Sequence, residues 1–279
     1  MGTVSIELGA LGAAIRFDMA TVELATAIEE AGYGTLWLAA SPPEDLAMAE
    51  HLLDATERLV IATSIVNMWT ADAKTVAASY HRIVARHPDR FLLGVGIGHR
   101  EIDTAYAAPY DTAAAYLDTL SAAGVPQDRT VLAALGPRML RLARERAAGT
   151  VPVMVTPEHT RRAREILGDD RLVLPGLQVL LDTDVDRARA TARAGVLTPA
   201  LHVTNYTNNL RRLGFTDADL TDPGSDRLID ALVLHGDAAT IATGVQAHVD
   251  AGANHVAVTA LGDSPLDTLR AVARGVRQG

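Results

Sequence analysis

The stretch Arg90-Phe-Leu-Leu-Gly-Val-Gly-Ile-Gly-His99 decides how the rest of the chain is read. Phe91 to Val95 are apolar without alternation, the pattern of a parallel strand covered on both faces. The run breaks into glycines where such a strand should end. Gly94, Gly96 and Gly98 suit the close approach of a ligand, and equally the relief of crowding inside a barrel. His99 and Arg100 follow as polar chemistry at the strand's mouth, the place where βα-barrels build their sites.

Outward from this strand, strand-like and helix-like segments alternate, which argues for βα units and a parallel sheet. Val4–Leu8 reads as the first strand and Asp18–Ala31 as its helix, closed by Gly32. Thr35–Ala39 and Leu59–Val66 are the second and third strands, with helices over Glu44–Ala55 and Ala73–His87. Phe91–Ile97 is the fourth strand, followed by a helix over Thr112–Ala123. Thr130–Ala134 is the fifth, with a helix from Pro137 to Ala147, and Val151–Val155 is the sixth. Thr156 then stands as N-cap and Pro157 as first helical residue. Leu177–Leu181 is the seventh strand, with a helix around Asp186–Ala194. Residues 198–225 lose the periodicity, carry Pro199, Gly214 and Pro223, and read as an insertion. Helices over Asp226–Leu234 and Ala238–Ala251 precede the eighth strand, His255–Ala260, and a last helix starts at Ser264-Pro265. Eight strands, each with a helix behind it, specify an α/β chain folded as a (β/α)8 TIM barrel with an insertion after the seventh strand–helix unit. A doubly wound sheet is the alternative, and the regularity of the units favours the barrel. No linker or charge block divides residues 1–279, so they read as one domain.

Apolar residues make up 48% of the 279 and aromatics only 4%, which favours many closely packed helices. The net charge of −9, without a basic stripe, argues against nucleic acid as a partner. No apolar run has the length of a membrane span, and no basic segment leading into an apolar one marks a signal peptide. Cysteine is absent, which excludes disulfides, thiol catalysis and cysteine-ligated metal. A cytoplasmic protein acting on a small molecule, with no membrane partner, is the expectation.

Several segments could carry chemistry. A dinucleotide fingerprint would need an acidic residue ending the strand after the glycines, and Thr130–Ala134 ends in Ala-Leu-Gly instead. Ala133-Ala134-Leu135-Gly136-Pro137-Arg138 joins the fifth strand to its helix. Small residues, Gly and Pro at the helix start leave N–H groups exposed beside Arg138, a phosphate seat. The N–H groups of Met139 and Leu140 are the expected donors. His51, His81, His87 and His248 fall within helices, and His159 in a first turn, whereas His99 and His202 lie after strands or in the insertion. No His/Asp/Glu spacing suits a metal, no Gly-x-Ser-x-Gly elbow occurs, and no Walker loop is present. In Asn205–Phe215, Asn and Tyr suit a ligand, and Arg211 and Arg212 an anionic tail or a solvated basic helix face.

Taken in order, Glu30–Trp37, Arg90–His99, Val131–Met139, Val155–His159, Asn205–Phe215 and His248–Val256 resemble the luciferase-like monooxygenase superfamily, in particular its coenzyme F-420 (deazaflavin) branch. The resemblance implies a homodimeric barrel with the cofactor across the C-terminal mouth. It implies a non-proline cis peptide at Ser64-Ile65, with Ser64, Ile65 and Val66 against the ring. Gly96 and Gly98 would meet the ring or ribityl chain, and Ala134, Leu135, Gly136 and Arg138 would hold the phosphate. Many deazaflavin-dependent members carry an acid or histidine after the second strand. Here Leu38-Ala39-Ala40-Ser41 stands there, so His99 is the first replacement and Glu7 the second, if burial raises its pKa. Asn67, Trp69 and Tyr206 would line the substrate space. The implied activity is hydride transfer between the deazaflavin and a small organic substrate. The alternatives are an FMN-dependent monooxygenase and a catalytically degenerate homologue that binds cofactor or a partner.

Overall fold

The structure, a computed structural model, describes residues 6–103 and 105–278. Strand β1 (Leu11–Arg16) leads through a 3-10 turn to helix α1 (Val22–Glu30), and β2 (Thr35–Ala39) leads to α2 (Ala47–Ala55). Strand β3 (Val60–Ser64) and the two-residue β4 (Val66–Asn67) precede α3 (Ala73–Arg86). Then come β5 (Phe91–Gly96) and α4 (Pro109–Ala122), β6 (Thr130–Leu132) and α5 (Pro137–Arg146), and β7 (Gly149–Thr150) and α6 (Pro157–Leu167). Strands β8 (Leu172–Val173) and β9 (Gly176–Leu181) are followed by α7 (Val185–Ala192), α8 (Thr198–Leu201), α9 (Thr204–Arg212), α10 (Asp217–Leu220) and α11 (Asp226–Leu232). The chain finishes with β10 (Val233–Gly236), α12 (Ala238–Asp250), β11 (Val256–Ala260) and α13 (Pro265–Gln278).

The α/β architecture is the expected one, with a parallel sheet in the order β10-β9-β11-β1-β2-β3-β5-β6-β7-β8 and β4 on β5. The segment from Leu172 to Leu181 meets both halves of this order. Its first part pairs with β7 and its second with β11, while a parallel bridge joins Val153 to Gly176. The sheet therefore curls.

Side-chain alternation along the strands sorts the core into two clusters. Leu36, Leu38, Ile61, Leu93, Val95, Leu132 and Val258 join the helices in the outer cluster. The residues between them, Trp37, Ala62, Leu92, Val131 and Ala257, fill the inside of the curl. Both faces of each strand are thus apolar, which is why the sequence runs lacked alternation. Helix starts follow the short polar residues of the sequence. Asp72 accepts from the N–H groups of Lys74 and Thr75, Thr21 from that of Leu24, and Asp237 from that of Thr240. No helix among the described residues is long and apolar enough to cross a membrane.

Several elements depart from the sequence reading. The first strand is not Val4–Leu8 but Leu11–Arg16; Val4 and Ser5 lie outside the described residues, and Ile6 and Leu8 pack into the inner cluster as coil. The Gly-Ala-Ala composition of β1 hides it, because strand propensity there is low. Val151–Val155 is not a continuous strand: β7 covers only Gly149–Thr150, Pro152 lacks a donor, and Met154 has φ 56°. The end of the expected helix Asp226–Leu234 is instead strand β10, paired with β9. The 198–225 segment is mostly helical. Its Leu210, Phe215 and Leu220 are buried in a further cluster with Met154, Leu180, Leu228 and Val233.

Candidate active site

A cavity of about 820 Å³ opens at the C-terminal ends of the strands. Arg16 at the end of β1, Ala40 and Ser41 after β2, Ser64, Ile65 and Asn67, and Ile97 to His99 after β5 contribute to its wall, with Ala133 to Gly136 after β6. Helix α9 closes one side with Asn205, Tyr206, Asn208 and Arg212. The Ser64–Ile65 peptide is cis, as the resemblance implied, and separates β3 from β4. Ala40 and Ser41 have φ of 64° and 58°, a left-handed pair unusual outside glycine and placed on the cavity wall.

His99 is held from three directions. Its backbone N–H donates to Asp103 Oδ2 at 2.7 Å, its Nδ1 lies 3.1 Å from Asn205 Oδ1, and its ring centroid is 4.9 Å from that of Tyr206. The other Asp103 oxygen accepts from Asn67 Nδ2 at 2.8 Å, which ties β4 to the loop after β5. A second tie joins that loop to α9, where Glu101 accepts from the N–H of Thr204 at 3.1 Å and from its hydroxyl. The Thr204 hydroxyl holds the Glu101 carboxyl below the usual range. Burial pushes the Tyr206 phenol up to about 12, so it stays protonated and can only donate or accept a hydrogen bond at neutral pH.

The turn into α5 is a set of donors. Gly136 is the N-cap and no side chain caps the helix. Leu140 N–H donates to Gly136 O at 3.0 Å, so the free donors among the described residues are Arg138 and Met139, not Met139 and Leu140. The Arg138 guanidinium stands 3.7 Å from the Tyr110 ring centroid, and a Cβ on Gly136 would lie 3.6 Å from an Arg212 nitrogen. His159 Nε2 braces the Leu135 carbonyl at 3.0 Å. Burial, the largest influence on His159, holds its pKa down, so its neutral Nε2–H is the donor.

Of the residues expected from sequence, His99, Ser64, Ile65, Gly98, Ala134, Leu135, Gly136, Arg138, Asn67 and Tyr206 converge on the cavity. Glu7 does not: it is exposed ahead of β1, away from the strands' C-terminal ends, so the burial its expected role required is absent. Val66 is fully buried in the outer core, and Gly96 lies under Ile65, where a Cβ would come 2.8 Å from Cγ1. Trp69 is behind the wall, its Nε1–H donating to Ile97 O at 2.6 Å and its ring 5.4 Å from Tyr106. His202 is exposed, and Arg211 is paired with Asp217, so of the two adjacent arginines Arg212 is the one that lines the cavity. Sequence reasoning missed Arg16, Asp103, Tyr106 and Tyr110, all of which line the cavity. The only hint for Asp103 was its spacing from His99, one helical turn on. Among the described residues no cluster of His, Asp and Glu could hold a metal.

Residues 17–121 match the family model of the luciferase-like monooxygenases. This luciferase-like stretch runs from the end of β1 into α4 and so includes His99, Asp103 and the cis peptide. No curated protein gives a significant match. Among solved structures, a coenzyme F-420-dependent secondary alcohol dehydrogenase in complex with an F-420–acetone adduct aligns with TM-score 0.74 at 16% identity, over 96% of this chain and 98% of that one. A coenzyme F-420-dependent tetrahydromethanopterin reductase from Methanopyrus kandleri gives 0.69 at 15%, over 96% and 98%. The oxygenating constituent of a diketocamphane monooxygenase from Pseudomonas putida, in complex with FMN, gives 0.67 at 15%, over 93% and 92%. At these identities the likeness is one of fold.

Proposed function

We propose that this protein is an oxidoreductase that moves a hydride between coenzyme F-420 and a small organic substrate. The reading takes the curled sheet as a closed (β/α)8 barrel and the protein as a cytoplasmic homodimer. The carrying observation is the donor-only set at Gly136. Two free N–H groups, Arg138 and Arg212 meet there at one end of a cavity whose wall also bears His99 and the Ser64–Ile65 peptide. Such a set suits a phosphate, because the N–H groups and both guanidiniums can only donate. The deazaflavin would supply hydride chemistry; the chain's part is to orient it, exclude water and handle the proton. Ala134, Leu135, Gly136, Arg138 and Arg212 would hold the phosphate, and Ser64, Ile65 and Gly98 would flank the ring. Asn67 and Tyr206 face the remaining space, with His99 as the proton-handling group.

FMN presents the same phosphate to the same seat, and its monooxygenases share the fold. Titration of the purified protein with coenzyme F-420, FMN and NADPH decides between them. Tight deazaflavin binding without FMN affinity is the expected result. Binding of FMN alone moves the protein to flavin monooxygenase chemistry, and binding of none removes the reading.

A further inference from the structure

We infer that Arg16 and the hydroxyl of Ser41 form a second anion subsite on the cavity rim, apart from the Gly136 turn, and that this subsite reads the carboxylate of a small organic acid as the substrate. Resting on the oxidoreductase reading above, the subsite adds the substrate class and the residues that select it.

Strand register brings the two residues to neighbouring strand ends. Arg16 closes β1 in register with Ala39, and Ala39 is in register with Ser64 of β3. Ala40 and Ser41 follow directly, and both line the cavity with Arg16. In the sheet order β1-β2-β3-β5-β6, three strands separate Arg16 from the turn after β6. The Ser64–Ile65 peptide lies between the two ends of this arc. A phosphate held at the Gly136 turn therefore leaves Arg16 to a different anion.

The donors at this end suit a carboxylate. Arg16 Nε and Nη2 donate to the two oxygens of Asp18 at 3.0 and 2.7 Å, which fixes the plane of the guanidinium. Its other edge, Nη1 with the second Nη2 proton, has no partner among the described residues. Two parallel donors match the two oxygens of one carboxylate. Ser41 Oγ is also without a partner among the described residues and supplies a third donor. Arg16 holds the Asp18 carboxyl below its usual range, so Asp18 stays ionised. With that charge beside it, Arg16 suits a singly charged group better than a phosphate dianion. Arg138 and Arg212 have no carboxylate partner among the described residues, so the Gly136 turn is the more positive end.

The rest of the wall agrees with a small acid. Its charged residues are Arg16, Arg138, Arg212 and Asp103, so the cavity draws anions although the chain carries −9. Both Asp103 oxygens are occupied, by the N–H of His99 and by Asn67. Ile65, Ile97 and Ile102 offer apolar surface to the hydrocarbon part of the acid.

Hexanoate and its neutral analogue hexanamide are the probes, titrated by calorimetry and NMR. The host is the Arg138→Ala, Arg212→Ala protein, in which the Gly136 turn competes least. Adding Arg16→Ala should weaken hexanoate at least about tenfold and leave hexanamide within about twofold. Arg16→Lys should recover part of the hexanoate affinity, and Ser41→Ala should cost about threefold. Equal hexanoate affinity with and without Arg16, or hexanamide bound as tightly as hexanoate, overturns the inference. The second arm loads the wild type with coenzyme F-420. Hexanoate should still bind, and Arg16→Ala should keep coenzyme affinity within about twofold. Exclusion of hexanoate by the coenzyme, or a larger loss of coenzyme affinity in Arg16→Ala, would give Arg16 to the coenzyme and overturn the substrate class. If the coenzyme does not bind the wild type, the functional reading fails, while the carboxylate subsite is decided by the first arm alone.

Discussion

The indole N–H of Trp37 donates to His255 Nε2 across 3.0 Å, and His255 Nδ1–H donates in turn to Gly9 O at 2.7 Å. Gly12 makes room for the pair, since a Cβ there would lie 2.5 Å from His255 Nε2 and 2.9 Å from Trp37 Nε1. Both ring nitrogens are used by the neutral tautomer, and burial drives the His255 pKa down to about 4.

Stability should therefore fall in mild acid. An unfolded histidine takes up a proton near its usual pKa, whereas folded His255 resists until about 4, so its contribution is full above about pH 6.5 and lost on the way down to 4. The size is on the order of 3 kcal/mol. Buried His248, also lowered to about 4 by desolvation, acts in the same direction. Urea unfolding between pH 8 and pH 4.5 measures this. His255→Gln should flatten the profile relative to wild type, and an unchanged slope would show that His255 does not carry it.

Gly98 is fixed by its neighbours. It has φ +58°, and a Cβ would fall 2.1 Å from Asp103 Oδ2 and 2.9 Å from Asn67 Nδ2. Gly98→Ala should break the Asp103 clamp on His99 and Asn67, at a cost of about 1–3 kcal/mol. Amide exchange at His99 and Asp103 should accelerate while β2 and β3 stay protected. Equal protection at His99 in both proteins would place the constraint elsewhere.

Arg138 has no carboxylate partner among the described residues and stacks on Tyr110. Under the proposed function, Arg138→Ala should weaken coenzyme F-420 binding by roughly 1–3 kcal/mol, most at low salt, with little change in unfolding. Arg212→Ala should act in the same sense, because that guanidinium approaches the same turn. Arg211→Ala, whose side chain is bound to Asp217, is the control expected to leave affinity unchanged. Isothermal titration at two salt concentrations checks all three.

The legible parts of the sequence were those where one local pattern determines one structure. The β5 run, the Thr35–Ala39 strand and the Pro137 helix start read correctly because apolar continuity and N-terminal proline act locally. Strand β1 was misplaced because its pairing with β2 and β11, not its composition, makes it a strand. Strand β10 was hidden at the end of a helical pattern and exists through its pairing with β9. In the site, His99 and the Gly136 turn showed in the sequence, as strand-end chemistry and turn residues do. Asp103 and Arg16 did not, because their positions on the cavity depend on how loops from separate strands meet. The tie between Glu101 and Thr204 spans chain segments that no periodicity relates.

The 198–225 segment is bound to the fold by its own apolar residues. Leu210 is 1% exposed and Phe215 7%, and they pack with Met154 after β7, Leu180 of β9 and Ile229 of α11. The face of α9 that lines the cavity is thus backed by a face that is core. Leu210→Ala should lower unfolding stability by about 2–5 kcal/mol and Phe215→Ala by about 3–5, through lost burial and the cavity left behind. Asn208→Ala, at an exposed position of the same helix, should stay within about 0.5 kcal/mol. Excision of residues 198–225 should expose Leu180, Leu228 and Val233 together and give a destabilised, aggregation-prone protein, unlike removal of a simple lid. Urea midpoints and light scattering of the purified variants measure both effects. An excised protein that unfolds at the wild-type midpoint and stays monodisperse would show that the segment is a separable cover.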